Sequence, residues 1–198
     1  MQYRALQPKA ETKGPKMKPH TDVSTVTLQT PRLILRGWRE SDLADFYAYA
    51  SVEGVGEAAG WPHHRSIEET KRILAKFMAE KNDFAIVDRA TGRVIGSLGL
   101  HRSWATGQLA FAGKSAVEIG YVLARDMWGR GLMPEAVGRV LEYLFDTLGV
   151  DIVTVAHAEE NARSRRVIEK CGFRPVKRGT VYLKQLGKTI TDIKYILT

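Results

Sequence analysis

Apolar and polar positions alternate with period two over Thr25–Arg36 (TVTLQTPRLILR), which predicts a strand with an edge or a bulge at Pro31. The period then lengthens. Ser41-Asp42 opens a helix with Leu43, Phe46 and Tyr47 on one face. Glu53–His64 carries three glycines and no periodicity, so it reads as a loop. Ser66 with Glu69 forms a capping box for a helix to about Glu80, with Ile73, Leu74 and Phe77 inward. Phe84–Val87 and Val94–Leu100 are short strands joined by a hairpin at Ala90-Thr91-Gly92, and Val117–Leu123 is another strand. Val137, Val140, Leu141, Leu144, Phe145 and Leu148 form one stripe, which predicts a helix from Pro134, a residue suited to a first turn. Ile152–His157 then reads as strand, Asn161–Cys171 as helix and Phe173 onward as strand. Gly187-Lys188 turns the chain into a last strand, Ile190–Leu197.

That order is a strand, two helices, three antiparallel strands, then helix, strand, helix and two strands. It predicts a mixed α/β (α+β) domain, helices flanking one mostly antiparallel sheet, without internal repeat. Residues 1–24, with Pro8, Pro15 and Pro19 and no apolar period, are expected to be a basic flexible tail, and residues 25–198 the domain.

Composition narrows the class. A chain of 198 residues, 44% hydrophobic and 26% charged, suits one globular domain and not a disordered, collagenous or coiled-coil chain. No apolar run reaches the roughly 18–20 residues of a membrane helix, and the N-terminus has no secretory h-region. Cys171, the single cysteine, cannot pair internally, which fits a reducing, cytoplasmic setting. The net charge is +8, and half of it lies in the first 20 residues, where five basic residues face Glu11. Such a balance suits nucleic acid, a membrane surface or a phosphate-rich cofactor, and equally plain solubility.

Candidate chemistry concentrates after Glu118. The corner Trp128-Gly129-Arg130-Gly131-Leu132-Met133 joins a strand to a helix. Glycines there let the backbone turn tightly, and the helix start adds unpaired N–H groups with partial positive charge, so an anion fits. Arg130 adds a delocalised cation. Read alone, Gly-x-Gly at such a corner is also an ordinary turn. Some 30 residues on, Asn161-Ala-Arg-Ser164 opens the next helix, where both Asn161 and Ser164 read equally well as caps.

Taken together, "TPRLILRGWRESD", "EIGYVLARDMWGRGLMPEA" and "EENARSRRVIEKCGF" resemble the GNAT superfamily of acyl-CoA-dependent N-acyltransferases, in particular its ribosomal-protein-acetyltransferase-like branch. The resemblance runs in order from about Thr25 to the C-terminus. It implies a sheet whose middle strands splay apart, acetyl-CoA as co-substrate, and an amine acceptor, either a protein N-terminus (a ribosomal one included) or a small molecule. By position it implies pantetheine along the backbone of Tyr121, Val122 and Leu123, pyrophosphate on Trp128–Met133, and contact with pantetheine from Asn161. The corner departs from the superfamily pattern, with Trp128 in place of Gln or Arg and Met133 in place of Gly or Ala; Trp128 is common in the ribosomal-protein branch. Many members carry an acidic tyrosine seven residues after the asparagine. Here that position is Ile168, and the resemblance hands thiolate stabilisation to Ser164.

Amine attack on a thioester needs a neutral amine, an oxyanion donor and a stabilised thiolate. Glu118 is the expected base and His157 its rival. Trp61, His101, Trp104 and His157 are expected on the acceptor side. Neither HExxH nor paired cysteines occur, so no metal is expected. The other classes weighed are a basic nucleic-acid-binding module and an acyl-CoA-binding module without catalysis. The first would show aromatic–basic interleaving or a helix-turn-helix, and neither is present. Whether the chain is a monomer or a homodimer is not encoded in these motifs.

Overall fold

The period-two stretches become eight strands of one sheet in a computed structural model, which describes residues 21–198. In chain order they are β1 (Thr27–Gln29), β2 (Leu33–Gly37), β3 (Asp83–Asp88), β4 (Val94–Arg102), β5 (Ala116–Leu123), β6 (Ile152–Ala158), β7 (Arg174–Leu183) and β8 (Lys188–Leu197). Their spatial order is β1-β2-β3-β4-β5-β6-β8-β7. Every neighbouring pair is antiparallel except β5 and β6.

Five α-helices cover the sheet: α1 (Leu43–Ala50), α2 (Val55–Ala59), α3 (Ile67–Glu80), α4 (Leu132–Glu142) and α5 (Ala162–Lys170). The expected helix to Leu148 ends its α-helical part at Glu142 and continues as one π-type turn, Tyr143–Thr147. Strand alternation divides the sheet into two faces. Phe84 meets Tyr143 edge-on and the Tyr121 hydroxyl reaches Ser164, so this face carries α4 and α5. Glu118, Gly120 and Val122, one residue out of phase with Tyr121, belong to the face of α1–α3.

Four expectations change. The first predicted strand is a hairpin, β1 and β2, because the chain turns at Thr30–Arg32: Thr30 N–H donates to the Leu33 carbonyl and Leu33 N–H to the Thr30 hydroxyl. Pro31, with no N–H to donate, sits in the turn and not in a bulge. On α1 the inward aromatic residues are Phe46 and Tyr49, while Tyr47 is half-buried. Inside the predicted loop a short helix forms, α2, closed by Gly60 at φ 95°. The expected tail lies outside the described residues up to position 20, and at its end Val23 is fully buried, bonding the Lys81 carbonyl at 2.7 Å.

The α2 segment is held from behind. Trp61 packs so closely over Gly56 that a Cβ there would lie 2.3 Å from the indole. His64 packs on Trp61 and Phe46, and its amide reaches the Ala50 carbonyl. The Thr70 hydroxyl donates to the Ser66 carbonyl at 3.2 Å, so His64 Nδ1–H must donate to Thr70 Oγ1, at 2.9 Å. That bond fixes the Nδ1–H tautomer of the neutral ring, and it is burial that pushes the His64 pKa down. The unfolded chain therefore binds this proton more readily, and stability falls as pH drops below about 6.5. His64→Gln is expected to lower stability by roughly 1 kcal/mol at pH 7.5 and to shrink the further loss between pH 7.5 and 5.5. Thermal unfolding at the two values checks this; identical pH slopes in both proteins would assign the dependence to other groups.

Candidate active site

β5 and β6 pair over three residues, from Ala116↔Ile152 to Glu118↔Thr154. Beyond that level β5 stays with β4 as far as Leu123 and β6 stays with β8 as far as Ala158, so the two part company. Backbone direction alternates along β5. Val117 O accepts from Thr154 and Leu123 O from the Trp128 indole, whereas Val122 O lies against Gly96 of β4. The amide groups of Tyr121 and the N–H of Leu123 thus face the gap, while those of Val122 are turned to β4. This corrects the expectation for Val122. The gap opens into a cavity of about 590 Å³.

At one mouth lies the glycine corner. Gly129 and Gly131 take φ of 77° and 74°, a left-handed conformation that glycine adopts without Cβ strain. Leu132 and Met133 begin α4, and as at any helix start their N–H groups have no intrahelical acceptor. The Met133 side chain is buried in the core, which is why its bulk is tolerated. The Trp128 indole N–H donates to Leu123 O at 2.8 Å, and the Arg163 guanidinium lies 4.1 Å over the ring. Arg163, Arg166 and Lys170, on one face of α5, line this mouth. Sequence reasoning missed these three; their i, i+3, i+7 spacing after Asn161 was the signal available. Arg130, expected to face phosphate, is exposed and outside the cavity wall, and it contributes its carbonyl to Arg32.

Midway, Asn161 caps α5 by accepting from Ser164 N–H at 3.1 Å, and its amide donates to the Ala58 carbonyl of α2 at 3.1 Å. Its side chain therefore ties α5 to α2 across the cavity wall, and it lines the cavity with one amide proton still unengaged. The cap belongs to Asn161, which releases the Ser164 hydroxyl: its Oγ lies 3.0 Å from the Tyr121 hydroxyl. Both residues line the cavity. Burial raises the Tyr121 pKa, so the phenol keeps its proton. The sequence reading used only the backbone of Tyr121 and overlooked this hydroxyl.

Toward the α2 side stands Glu118. Its Oε2 accepts from Trp104 N–H and from the Thr154 hydroxyl, both at 3.3 Å, and Ser103 Oγ backs Thr154 at 2.8 Å. Burial raises the Glu118 pKa, opposed by these two donors. Trp104 lines the cavity as expected. His157 also lines it, but Nδ1–H donates to the Ala158 carbonyl (2.7 Å) and Nε2 accepts from the Tyr195 hydroxyl (3.2 Å). A ring with both nitrogens engaged is no rival base. His101 is exposed outside the cavity wall, its ring laid over Gly99 and Gly120. Trp61 is outside it too, behind α2 on Gly56. His101 nonetheless stands directly opposite Glu118 across β4 and β5, on the same face, whereas Trp61 does not line the cavity.

Comparison with known proteins meets this geometry. Residues 32–174 match the family described as acetyltransferase (GNAT) domain. The uncharacterized N-acetyltransferase YoaA of Bacillus subtilis (strain 168) is 31% identical over 168 residues, 81% of this chain and 89% of that protein. Two solved structures share the fold. One is a ribosomal-protein-S5-alanine acetyltransferase from Vibrio fischeri (TM-score 0.68, 21% identity, 87% of this chain and 96% of that one). The other is a spermidine N-acetyltransferase from Vibrio cholerae in complex with CoA and spermine (TM-score 0.68, 18% identity, 85% and 96%). The parted strands, the glycine corner between them and the match over most of the chain agree: this chain belongs to the GNAT family of acetyltransferases, enzymes that move an acetyl group onto an amine.

Proposed function

We propose that the chain transfers acetyl from acetyl-CoA to the terminal amine of a peptide or protein, by direct attack of that amine on the thioester in the gap between β5 and β6. The observation that carries this reading is the parting of the strands after Glu118 and Thr154. It leaves a channel with glycines and cations at one mouth and a half-buried carboxylate at the other.

The residues fit the co-substrate. Amides of Tyr121 and Leu123 stand ready to pair with the amide-bearing pantetheine arm, as an added strand would. The corner at Gly129–Met133, with Arg163, Arg166 and Lys170, suits the phosphates. The thioester supplies the activated acyl group. Glu118 takes the proton of the entering ammonium, with Trp104 N–H and Thr154 holding the carboxylate in place. A gap-facing N–H of β5 donates to the carbonyl oxygen as it gains charge. The Ser164 hydroxyl, oriented by Tyr121, donates to the departing sulfur.

The acceptor class follows from charge. Three carboxylates line the cavity: Glu57, Glu118 and Asp192. Glu57 is spent on Gly54 N–H and on His63, by both its backbone N–H and its ring. Asp192 has Lys194 3.8 Å from one oxygen, and its other oxygen, although without a hydrogen-bond partner, is sealed from solvent beside Gly179 and out of reach of an entering cation. Only Glu118 is left for a cation, and Trp104, Val181, Leu183 and Ile190 supply apolar wall around it. A polyamine would carry its further charges past groups that do not answer them. A chain N-terminus with small or apolar first residues suits this wall.

Monitoring thiol release from acetyl-CoA against N-terminal peptides and polyamines tests both levels. Acceleration by peptides is expected; acceleration by polyamines alone would sink the acceptor reading, and none by any amine would sink the transfer itself. Ser164→Ala is expected to lower kcat roughly tenfold to a thousandfold with little change in KM, because its donor acts in the transition state. Tyr121→Phe should lower kcat by about tenfold. Since Asn161 holds the cap, neither change should move Tm far; a Ser164→Ala enzyme of full activity would remove the hydroxyl pair from the mechanism. The raised Glu118 pKa sets the acid limb of kcat/KM above the ordinary carboxylate range, rate rising with pH as the base deprotonates. Glu118→Gln should slow turnover by about 10²–10⁴-fold and abolish that limb; a limb that persists in the variant belongs to another group.

A further inference from the structure

Arg32 stands outside the cavity wall, on the turn between β1 and β2, yet its side chain reaches across to the glycine corner. Its Nε and Nη2 both lie 2.6 Å from Glu135 Oε2. Its backbone N–H donates to Glu135 Oε1 at 3.0 Å, and the Thr30 hydroxyl adds a bond of 2.6 Å to the same oxygen. Nη1 donates to the Arg130 carbonyl at 2.9 Å, between the two glycines. Nη2 lies 3.7 Å from where a Cβ on Gly131 would be. The side chain remains 49% exposed, so solvent reaches the guanidinium at the corner.

The position of Glu135 gives these contacts their meaning. It lies in the first turn of α4, four residues past Gly131, where a carboxylate uses up the positive end of the helix. Left unpaired, it would also repel any anion settling on the N–H groups of the corner. Burial works to raise the Glu135 pKa, but the Thr30 hydroxyl and the Arg32 amide and guanidinium outweigh it and keep the group ionised. The charge must therefore be cancelled locally, and the carbonyl of Arg130 must be kept from pointing its negative end at the same place.

We infer that Arg32 is the positioning residue of the phosphate corner: it neutralises Glu135 and fixes the Arg130 carbonyl, so that the corner presents N–H groups and net positive field to a phosphate. The inference rests on the reading that this corner holds the phosphates of CoA. Arg32 does this work through the corner and not by standing in the cavity.

The alternative is that Arg32 only staples α4 to the β1–β2 hairpin, and ligands separate the two roles. Calorimetric titration would compare CoA with acetyl-pantetheine, which has the same arm and no phosphates. Arg32→Gln is expected to weaken CoA 10–100-fold and acetyl-pantetheine less than threefold, and to flatten the salt dependence of CoA binding. Glu135→Gln added to Arg32→Gln should recover most of the CoA affinity, since the uncancelled charge is then gone. Arg32→Lys, which keeps the charge but not the fork, should fall between and serves if the glutamine variant unfolds. Equal losses for both ligands, or no recovery in the double variant, would leave Arg32 a staple and overturn the inference. Unchanged CoA binding in Arg32→Gln would overturn it as well. A wild-type chain that binds no CoA overturns the reading beneath it along with the inference, and is a distinct result.

Discussion

A three-residue parallel contact, Ala116–Glu118 against Ile152–Thr154, sets the rest of the active site. Each strand is fully engaged on its other side, β5 with β4 and β6 with β8, so neither needs the other beyond Thr154. Parting them leaves amides of β5 without partners. An unpaired buried amide costs on the order of 1–3 kcal/mol, whereas amides facing a water-filled cleft remain hydrated. A ligand with its own amides replaces that water without leaving the groups unsatisfied. The parting is therefore tolerable because it forms an open cavity and not a closed void.

Charge is distributed along the cavity in the same sense. Arg163, Arg166 and Lys170 gather at the mouth beside the helix start, and Glu118 stands on the opposite face of the sheet. Arg163 is kept in place by the Trp128 ring, whose indole N–H is in turn anchored on Leu123 O. Asn161 bridges the two sides, capping α5 with one atom and holding α2 with another.

Local pattern made the strands, the glycine corner and the Asn161 cap legible, because each is decided within a few residues. The Thr30–Arg32 turn was read as a strand because its side-chain acceptor, Glu135, lies 103 residues away from Arg32 in the chain. Arg130 was singled out for its place between two glycines and Arg163 was passed over, yet an exposed arginine on a tight corner points wherever packing leaves room. Trp61 and His101 have the residue types of a binding loop, but Trp61 is captured by Gly56 and His101 by the bare surface of Gly99 and Gly120. Gly99 lies two residues before His101 on the same strand and Gly120 faces it from β5, while Gly56 precedes Trp61 by five residues, so the bare surfaces appear only once strand pairing and the α2 turn are formed. Tyr121 shows the converse: the family resemblance drew attention to its backbone, while its hydroxyl found Ser164 only once α5 was laid over β5.

On the mechanism proposed above, that pairing would stand in for the tyrosine that many of its family carry on α5. Seven residues after Asn161 comes Ile168, which is 1% exposed and belongs to the core. A helix advances about 100° per residue, so positions 164 and 168 share one side of α5 but stand a full turn, about 6 Å, apart along its axis. Ser164, in the first turn, is beside the cavity; Ile168, one turn deeper, is sealed beneath it. A phenol at position 168 would have to displace core packing to reach the gap. The structure does place a phenol on the facing strand, where the Tyr121 hydroxyl lies 3.0 Å from Ser164 Oγ in the first turn of α5. In the proposed mechanism one phenol's work would be divided between two hydroxyls on two elements, which leaves the core its isoleucine.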